Sequence, residues 1–252
     1  MPRSGRVLVA GESWISQAAH VKGFDAFGSA TYETGVGPLR DALVASGFEV
    51  DYLPGHEVPE RFPEEPDALA PYGAVVLSDI GASSLLLHPR TWVHGLPSPN
   101  RLKLLRAYVE GGGGLLMVGG YLSFQGYHGT AGYRGTPVET ILPVTLEVFD
   151  DREEVPEGFV PEVVSPHAIL RDLPPAPPPL LGLNRTTMAP GGQLLLRGAG
   201  YPLLAVREVV AGRTAAWTSD IGPHWCPGAF VAWPGYRRLF AQLIAWLVEG
   251  TA

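Results

Sequence analysis

Short apolar runs bounded by glycine or proline recur along the first half of this sequence, and they constrain the fold more than any other feature. Four of them, at residues 7–10, 50–53, 74–77 and 115–118, have the length and branching of strands buried on both faces of a parallel sheet. Patterns typical of helices, with leucines on one face, lie between these runs. Strands that alternate with helices over short connections predict a doubly wound α/β sheet.

The composition indicates many turns that join short buried elements. The sequence holds 32 glycines and 25 prolines among 252 residues, about twice their usual share. A hydrophobic content of 46% excludes a disordered polymer, and the lack of a repeating G-X-Y pattern excludes collagen. So many helix-breaking residues also exclude a coiled coil or a helical bundle.

Charge and hydropathy restrict the partners and the location of the protein. The 25 acidic residues outnumber the 18 basic ones, and no basic block is present, so we expect no nucleic-acid partner. The first apolar stretch is only about four residues long, too short for a signal peptide. Nowhere is an apolar run long enough to span a membrane. We therefore expect a cytoplasmic protein without a membrane partner.

The sequence pattern changes in the second half of the chain. Residues 144–149 have a strand pattern, and an acidic run then leads into a proline-rich excursion at about 154–180. Three later runs have strand patterns at hairpin-like spacing: residues 194–197, 203–209 and 214–218. We predict a single domain over residues 1–252 whose later half adds an antiparallel extension to the sheet.

The segments that follow the strands form the candidate binding site, because ligands of open α/β sheets bind beyond the carboxyl ends of the strands. The tetrapeptide Ser-Asp-Ile-Gly occurs twice, at 78–81 and 219–222, each time directly after an apolar run. In one interpretation each aspartate only bonds to backbone amides of its turn, and in the other it faces a ligand. The predicted binding residues are Glu12, Asp79, Gly81, Gly120 and Asp220.

Three residues are candidates for catalysis. Gly119-Gly-Tyr-Leu-Ser follows a strand and places small residues on either side of one side chain, the pattern of a nucleophile elbow. Tyr121 occupies the nucleophile register but has an ordinary pKa of about 10, whereas Ser123 has better chemistry in a worse register. His224 follows a later strand and is the best general base among the seven histidines. Alternatively, Tyr121 and Ser123 shape a pocket and His224 packs structurally.

Several long segments carry a resemblance to a known family. They are the stretch at 113–126, the acidic residues at 150–153, Ser219-Asp-Ile-Gly-Pro-His-Trp and Trp233-Pro-Gly-Tyr. Together they resemble the glutamine amidotransferase-like proteins of the class I amidotransferase superfamily, and the likeness covers almost the whole chain. The resemblance implies a flavodoxin-like three-layer sandwich with a mostly parallel central sheet.

The resemblance also implies where catalytic groups would lie. In true amidotransferases the elbow carries a catalytic cysteine, and a later His-x-Glu completes the triad. Here the elbow position matches Tyr121, and the His-x-Glu position matches His224-Trp225-Cys226, so both the cysteine nucleophile and the glutamate are missing. The turn that would supply oxyanion-hole amides matches Ile80-Gly81-Ala82. Hydrolysis of glutamine by the thiolate route is therefore not expected.

Three functional hypotheses remain open. The first is a protein that binds or senses a small polar metabolite without glutaminase activity. The second is a hydrolase or lyase that uses His224 with Ser123 or Tyr121. The third makes Glu12, Asp79, Asp220 and His224 ligands of a divalent metal, but no spacing signature supports it, and we expect neither a metal nor a cofactor. A homo-oligomer is compatible with the many aromatic residues, which core packing explains equally well.

Overall fold

The computed structural model of this chain describes residues 5–250, and a mixed sheet of eight strands lies at its centre. Along the described chain the strands are β1 (Arg6–Gly11), β2 (Ser13–Lys22), β3 (Asp25–Thr34), β4 (Glu49–Pro54), β5 (Ala74–Ser78), β6 (Gly114–Val118), β7 (Val144–Leu146), β8 (Arg152–Phe159), β9 (Glu162–Val163), β10 (Leu180–Asn184), β11 (Thr186–Met188), β12 (Gln193–Gly198), β13 (Tyr201–Val209) and β14 (Gly212–Trp217). The helices are α1 (Gly37–Val44), α2 (Val58–Arg61), α3 (Pro66–Leu69), α4 (Ala82–Leu86), α5 (Pro89–Trp92), α6 (Arg101–Glu110), α7 (Gly228–Ala232) and α8 (Pro234–Glu249).

The central sheet has the order β4-β1-β5-β6-β14-β13-β12-β9. The strands from β4 to β14 in this order are parallel, and β13, β12 and β9 extend the sheet with antiparallel pairings. The predicted α/β class, the flavodoxin-like sheet and its antiparallel extension are confirmed. Because these five parallel strands end on the same edge, the segments that follow them meet there.

Alternation along the strands divides the core into two halves. Val7 and Val9 pack into one core with the apolar faces of α1 and α8. Leu8 and Ala10 point to the opposite face and pack into a second core with α2, α4 and α6. Each strand is therefore covered by helices on both faces, which explains why its sequence is an almost continuous apolar run.

Three parts of the structure differ from the sequence-based expectations. Residues 13–34, with His20 among them, form a hairpin of β2 and β3 rather than a loop. The strand expected at 144–149 ends at Leu146, and the proline-rich excursion contains β8, which pairs with β10. No helix follows β6, because residues 119–126 form successive turns. Within residues 5–250, no helix combines the length and the apolar character needed to cross a bilayer.

A buried arginine ties α6 to the neighbouring short helices. Arg101 is 0% exposed, and its guanidinium donates hydrogen bonds to the carbonyl oxygens of Leu85 (2.6 Å) and Pro59 (3.0 Å). Its Nη1 lies 3.3 Å from the carbonyl oxygen of Val58. Burial lowers the pKa of Arg101, so these carbonyl contacts compensate for the loss of water around the charge.

We predict that Arg101→Ala lowers the free energy of unfolding by about 2–4 kcal/mol, because the α2 and α4 carbonyls lose their buried donor. The matched control is Arg106→Ala in the same helix, where the arginine is exposed and pairs only with Glu110. That control should change stability by less than about 0.5 kcal/mol. Equilibrium denaturation in urea measures both, and equal losses in the two variants would contradict the structural role of Arg101.

Candidate functional site

A cleft of about 450 Å³ opens at the carboxyl ends of the parallel strands. Its volume falls within the range of small-molecule sites. The cleft is lined by residues that follow β1, β5, β6 and β14: Glu12, Trp14, Asp79, Tyr121, Leu122, Tyr127, Asp220, Pro223 and His224. Five of the eight predicted site residues are thus brought together, whereas Gly81, Gly120 and Ser123 are not part of this lining.

Glu12 lies at the buried end of the cleft, directly after β1. Its backbone is left-handed, with φ of 51°, which is uncommon for a residue other than glycine or asparagine. The Ser78 hydroxyl donates a hydrogen bond to its carboxylate. Gly35 makes room for this carboxylate, since a Cβ at position 35 would lie 2.3 Å from Oε1 of Glu12. The chain therefore accepts local strain to hold a buried carboxyl group here.

The two Ser-Asp-Ile-Gly turns each place an aspartate beside the cleft. Asp79 also has a left-handed backbone, with φ of 43°, and accepts a hydrogen bond from the amide of Leu122 (2.6 Å). Asp220 accepts one from the amide of Ile221 (2.7 Å). Both aspartates thus bond to backbone amides as the turn interpretation predicts, and both also line the cleft. The structural and the functional interpretation are compatible.

Burial and mutual repulsion favour the neutral forms of these three carboxyl groups. Burial, followed by the charges of Asp220 and Asp79, raises the pKa of Glu12 well above its ordinary range. Burial and then the charge of Asp79 raise the pKa of Asp220 to about 7. Burial also raises the pKa of Asp79, although the Leu122 amide and His224 act in the opposite direction. The pKa of each of these three carboxyl groups is therefore raised in the cleft.

The glycines of the predicted elbow are required by packing. A Cβ at Gly119 would lie 2.1 Å from the carbonyl oxygen of Thr218, and one at Gly120 would lie 2.6 Å from Oδ1 of Asp79. Gly120 also has φ of 147°, a conformation that suits glycine. The amide of Gly120 donates a hydrogen bond to Oδ1 of Asn184 (2.9 Å). The glycine pattern is thus explained without a nucleophile.

Tyr121 belongs to an aromatic wall. Its hydroxyl donates a hydrogen bond to Glu154 (2.8 Å), and its ring meets the His224 ring edge-on with centroids 4.8 Å apart. The Arg152 guanidinium lies 4.6 Å from the Tyr121 centroid and 4.3 Å from that of Tyr127. Burial, followed by the hydrogen bond to Glu154, raises the pKa of Tyr121. These contacts stabilise a neutral phenol and fix the wall in position.

Of the remaining candidates, Ser123 and Gly81 do not line the cleft, whereas His224 lies at its rim. Ser123 is 1% exposed, and its hydroxyl accepts a hydrogen bond from the amide of Asp79 at 3.1 Å. Gly81 precedes α4, and the amide of Ala82 in the same turn already donates to the carbonyl oxygen of Ala131 (2.7 Å). In the turn expected to supply oxyanion-hole amides, the Ala82 amide is therefore already used by a hydrogen bond within the protein. His224 is exposed at the rim, next to the ring of Tyr121.

Cys226 is a core residue. Its side chain is 0% exposed and packs into the core that α1 and α8 cover. Burial, followed by the charges of Asp220 and Glu12, raises the pKa of the thiol. A buried cysteine with a raised pKa is mostly protonated at neutral pH, and the thiol is a poor nucleophile.

The carboxyl groups and His224 do not converge as a set of metal ligands. Among residues 5–250, no group of three or more His, Cys, Asp or Glu side chains is arranged to hold a metal ion. The charges of Asp220 and Asp79 raise the pKa of Glu12, and the charge of Asp79 raises the pKa of Asp220.

Sequence reasoning missed several residues that build this site. Trp14 and Tyr127 line the cleft, while Arg152 and Glu154 support its aromatic wall. Trp14 is only two positions after Glu12, so the segment that follows β1 gave a signal for it. Arg152 and Glu154 lie in β8, a strand that the sequence analysis did not predict, so no signal in the sequence placed them beside the cleft.

The chain is similar to known proteins over almost its whole length. A family model described as "Putative glutamine amidotransferase" (GATase1_like) matches residues 6–249. Among solved structures, Cytoplasmic Protein STM3548 from Salmonella typhimurium is 38% identical, with a TM-score of 0.93 over 98% of this chain and 99% of that one. Cytoplasmic Protein STM1381 from Salmonella typhimurium LT2 is also 38% identical, with a TM-score of 0.92 over 96% and 99%. No curated protein matches the chain.

We predict that Asp220→Asn stabilises the protein at about pH 8, by on the order of 2–4 kcal/mol. The pKa of about 7 in the folded state lies above the ordinary value, so the stability that protonated Asp220 contributes is lost as the pH rises through 7. Asparagine has no proton to lose and keeps the oxygen that accepts from Ile221. The extra stability of Asp220→Asn over the wild type should vanish below about pH 4, where Asp220 is protonated in both the folded and the unfolded state. Urea denaturation of both proteins at several pH values measures this difference in the free energy of unfolding.

The control Asp150→Asn should behave oppositely. Hydrogen bonds from Arg152 lower the pKa of Asp150, so its charged form stabilises the fold above the ordinary aspartate pKa. Its replacement should therefore destabilise the protein at neutral pH. A wild-type protein that is more stable than Asp220→Asn at pH 8 would contradict the proposed burial of the carboxyl group.

Proposed function

Because the chain belongs to the glutamine amidotransferase-like family, we propose that it uses the family fold to bind or sense a small polar metabolite, without glutaminase activity. The resemblance found in the sequence is confirmed for the family and its fold. The observation that supports the proposed function is the cleft itself, which combines the buried carboxyl groups of Glu12 and Asp220 and the half-buried one of Asp79 with aromatic walls, and whose lining contains no thiol. From the two similar Salmonella proteins described as cytoplasmic, we also infer a cytoplasmic location.

The ligand is proposed to be a small cation. Glu12, Asp79 and Asp220 repel one another when ionised, so a positive charge between them replaces repulsion with attraction. The indole ring of Trp14 also lines the cleft, and such a ring attracts cations and can cover the apolar part of an amine. An anionic metabolite would be repelled by the same carboxyl groups when they are ionised. The chemistry of the lining thus favours an amine or a quaternary ammonium compound.

The thiol route of glutamine hydrolysis finds no support in this arrangement. Tyr121 occupies the elbow position, and its hydroxyl is bonded to Glu154. Cys226 is buried in the core, where its raised pKa keeps the thiol protonated. A glutaminase of this type requires an accessible thiolate beside a general base. The catalytic pattern of the superfamily is therefore proposed to be degenerate in this chain.

The hydrolase alternative has one favourable observation, the contact between the Tyr121 and His224 rings. However, the ring contact is edge-on, and the Tyr121 hydroxyl donates to Glu154 instead of to the imidazole. Ser123 is buried and bonded to the Asp79 amide. An activated nucleophile needs a hydrogen bond to its base, so ligand binding remains the better-supported function.

We predict that propylammonium and tetramethylammonium bind the protein, whereas the matched neutral and anionic compounds, 1-propanol and propionate, do not. Binding should tighten from about pH 5.5 to about pH 8, because the pKa of about 7 at Asp220 means that the site gains negative charge in this range. Tetramethylammonium keeps its charge at every pH, so any change of its affinity with pH comes from titration of groups on the protein. Isothermal titration calorimetry measures the affinity at each pH.

Asp79→Asn should weaken tetramethylammonium binding by at least about tenfold, because it removes one negative charge and retains the oxygen that accepts from Leu122. Asp67→Asn removes the same charge from exposed helix α3 and should leave the affinity unchanged. Equal affinities for the cation and for propionate, or equal effects of the two substitutions, would contradict a cation site at these carboxyl groups.

The absence of glutaminase activity is tested separately. We expect the purified protein to release ammonia from glutamine at the rate of the buffer alone, and Cys226→Ser to give the same rate. A coupled glutamate dehydrogenase assay measures the ammonia. Ammonia release that Cys226→Ser abolishes would show that the buried thiol reaches substrate, and it would overturn the noncatalytic proposal.

A further inference from the structure

The hairpin of β2 and β3, residues 13–34, projects from the rest of the described chain and is called the arm here. Its strands pair only with each other over ten residue pairs, and neither joins the central sheet. At its root, the Gly55 amide donates to the Ser13 hydroxyl (2.8 Å) and the Gly35 amide donates to the Glu12 carbonyl (3.0 Å). Beyond this root, the arm residues are exposed on both strands.

The two faces of the arm differ in chemistry. Because directly paired residues of an antiparallel hairpin point to the same side, the pairing divides the arm into two rows. One row has no charged residue and, beyond Ser13 and Thr34 at the root, is mostly apolar: Ile15, Gln17, Ala19, Val21, Ala26, Gly28, Ala30 and Tyr32. The other row, called the polar row here, carries all the charges of the two strands, Lys22, Asp25 and Glu33, together with His20 and several hydroxyl groups, and it also holds Trp14, Ala18 and Phe27. The two faces therefore differ in charge, and within the described residues most of the uncharged, apolar row stays exposed.

An isolated hairpin of two strands has little stability in water. In this arm Val21 is 72% exposed and Ile15 is 58% exposed, and only the root end of the apolar row, where the Tyr32 ring meets that of His56 edge-on, is seen to pack on the rest of the described chain. The centre of the row consists of alanine and glycine, which leave the surface flat and allow another surface to approach closely. A flat, uncharged row of this length is typical of a surface that packs against protein.

We propose that the apolar face of the arm packs on a second copy of this chain, and that the two copies exchange arms about a twofold axis. A ribbon of ten residue pairs presents a face of about 330 Å², so one arm on one partner buries about 650 Å² in total. That area is no larger than an ordinary crystal contact. Reciprocal exchange doubles it to about 1,300 Å², which reaches the size of a stable specific interface.

The buried area therefore favours a second copy over an unrelated partner, because a twofold dimer buries the apolar faces of two arms in one interface. This inference does not depend on the ligand proposed above. It assigns a structural purpose to Ala19, Gly28 and Ala30, whose small size lets the partner surface approach the ribbon backbone.

The test uses two substitutions that differ only in the face they alter. Ala19→Arg places a charge at the centre of the apolar row, and Ala18→Arg places the same charge on the adjacent position of the polar row. Both positions are exposed in the single chain, so neither substitution disturbs its core. In sedimentation velocity at micromolar protein, we expect the wild-type chain and Ala18→Arg to be dimers. Ala19→Arg should dissociate at least about tenfold more readily.

Two results would overturn the proposal. One is a monomeric wild-type chain across the micromolar range. The other is the same sedimentation behaviour for Ala18→Arg and Ala19→Arg, which would mean that the apolar face is not the contact. Circular dichroism and the midpoint of thermal unfolding check that both variants remain folded.

Discussion

The amide side chain of Asn184 fixes the turn that follows β6, and this turn carries Tyr121 and Leu122 to the cleft. Its oxygen accepts from the Gly120 amide, while its nitrogen donates to the Gly120 carbonyl (3.1 Å) and to Asp151 (2.7 Å). Asp151 in turn accepts from the amides of Gln125 and Gly126. This buried network is fully bonded and fixes a turn that has no helix behind it. It brings the end of β6 against the ends of β5 and β14.

That close approach also determines the electrostatics of the cleft. Because the ends of the strands meet without side chains at Gly119 and Gly120, the carboxyl groups of Asp79 and Asp220 lie close enough to raise one another's cost of ionisation. Water is largely excluded from Glu12, which adds a desolvation penalty. Ionising these carboxyl groups in the folded protein is therefore costly, and under the proposed function a bound cation would reduce that cost.

The sequence predicted the strand ends correctly because buried parallel strands are continuous apolar runs, and the polar residues after them had only one edge to occupy. The sequence could not show whether Gly119 and Gly120 form a nucleophile elbow or only allow close packing against Thr218, because both structures require glycine. The arm was missed for a different reason. Its alanines, serines and glycines have weak strand propensity, and strand prediction relies on burial within one chain, which this hairpin lacks.

The arm and the cleft share their connecting residues, so assembly and ligand binding are expected to be coupled. Trp14 belongs to β2 and lines the cleft, while Gly35, just after β3, donates to Glu12 and leaves room for its carboxylate. A second copy that holds the arm would therefore also restrain Trp14 and the backbone at Glu12. Restraint that favours the bound geometry strengthens ligand binding, and the ligand then strengthens the dimer by the same factor. Under the two proposals together, the state of assembly would then report whether the cleft is occupied.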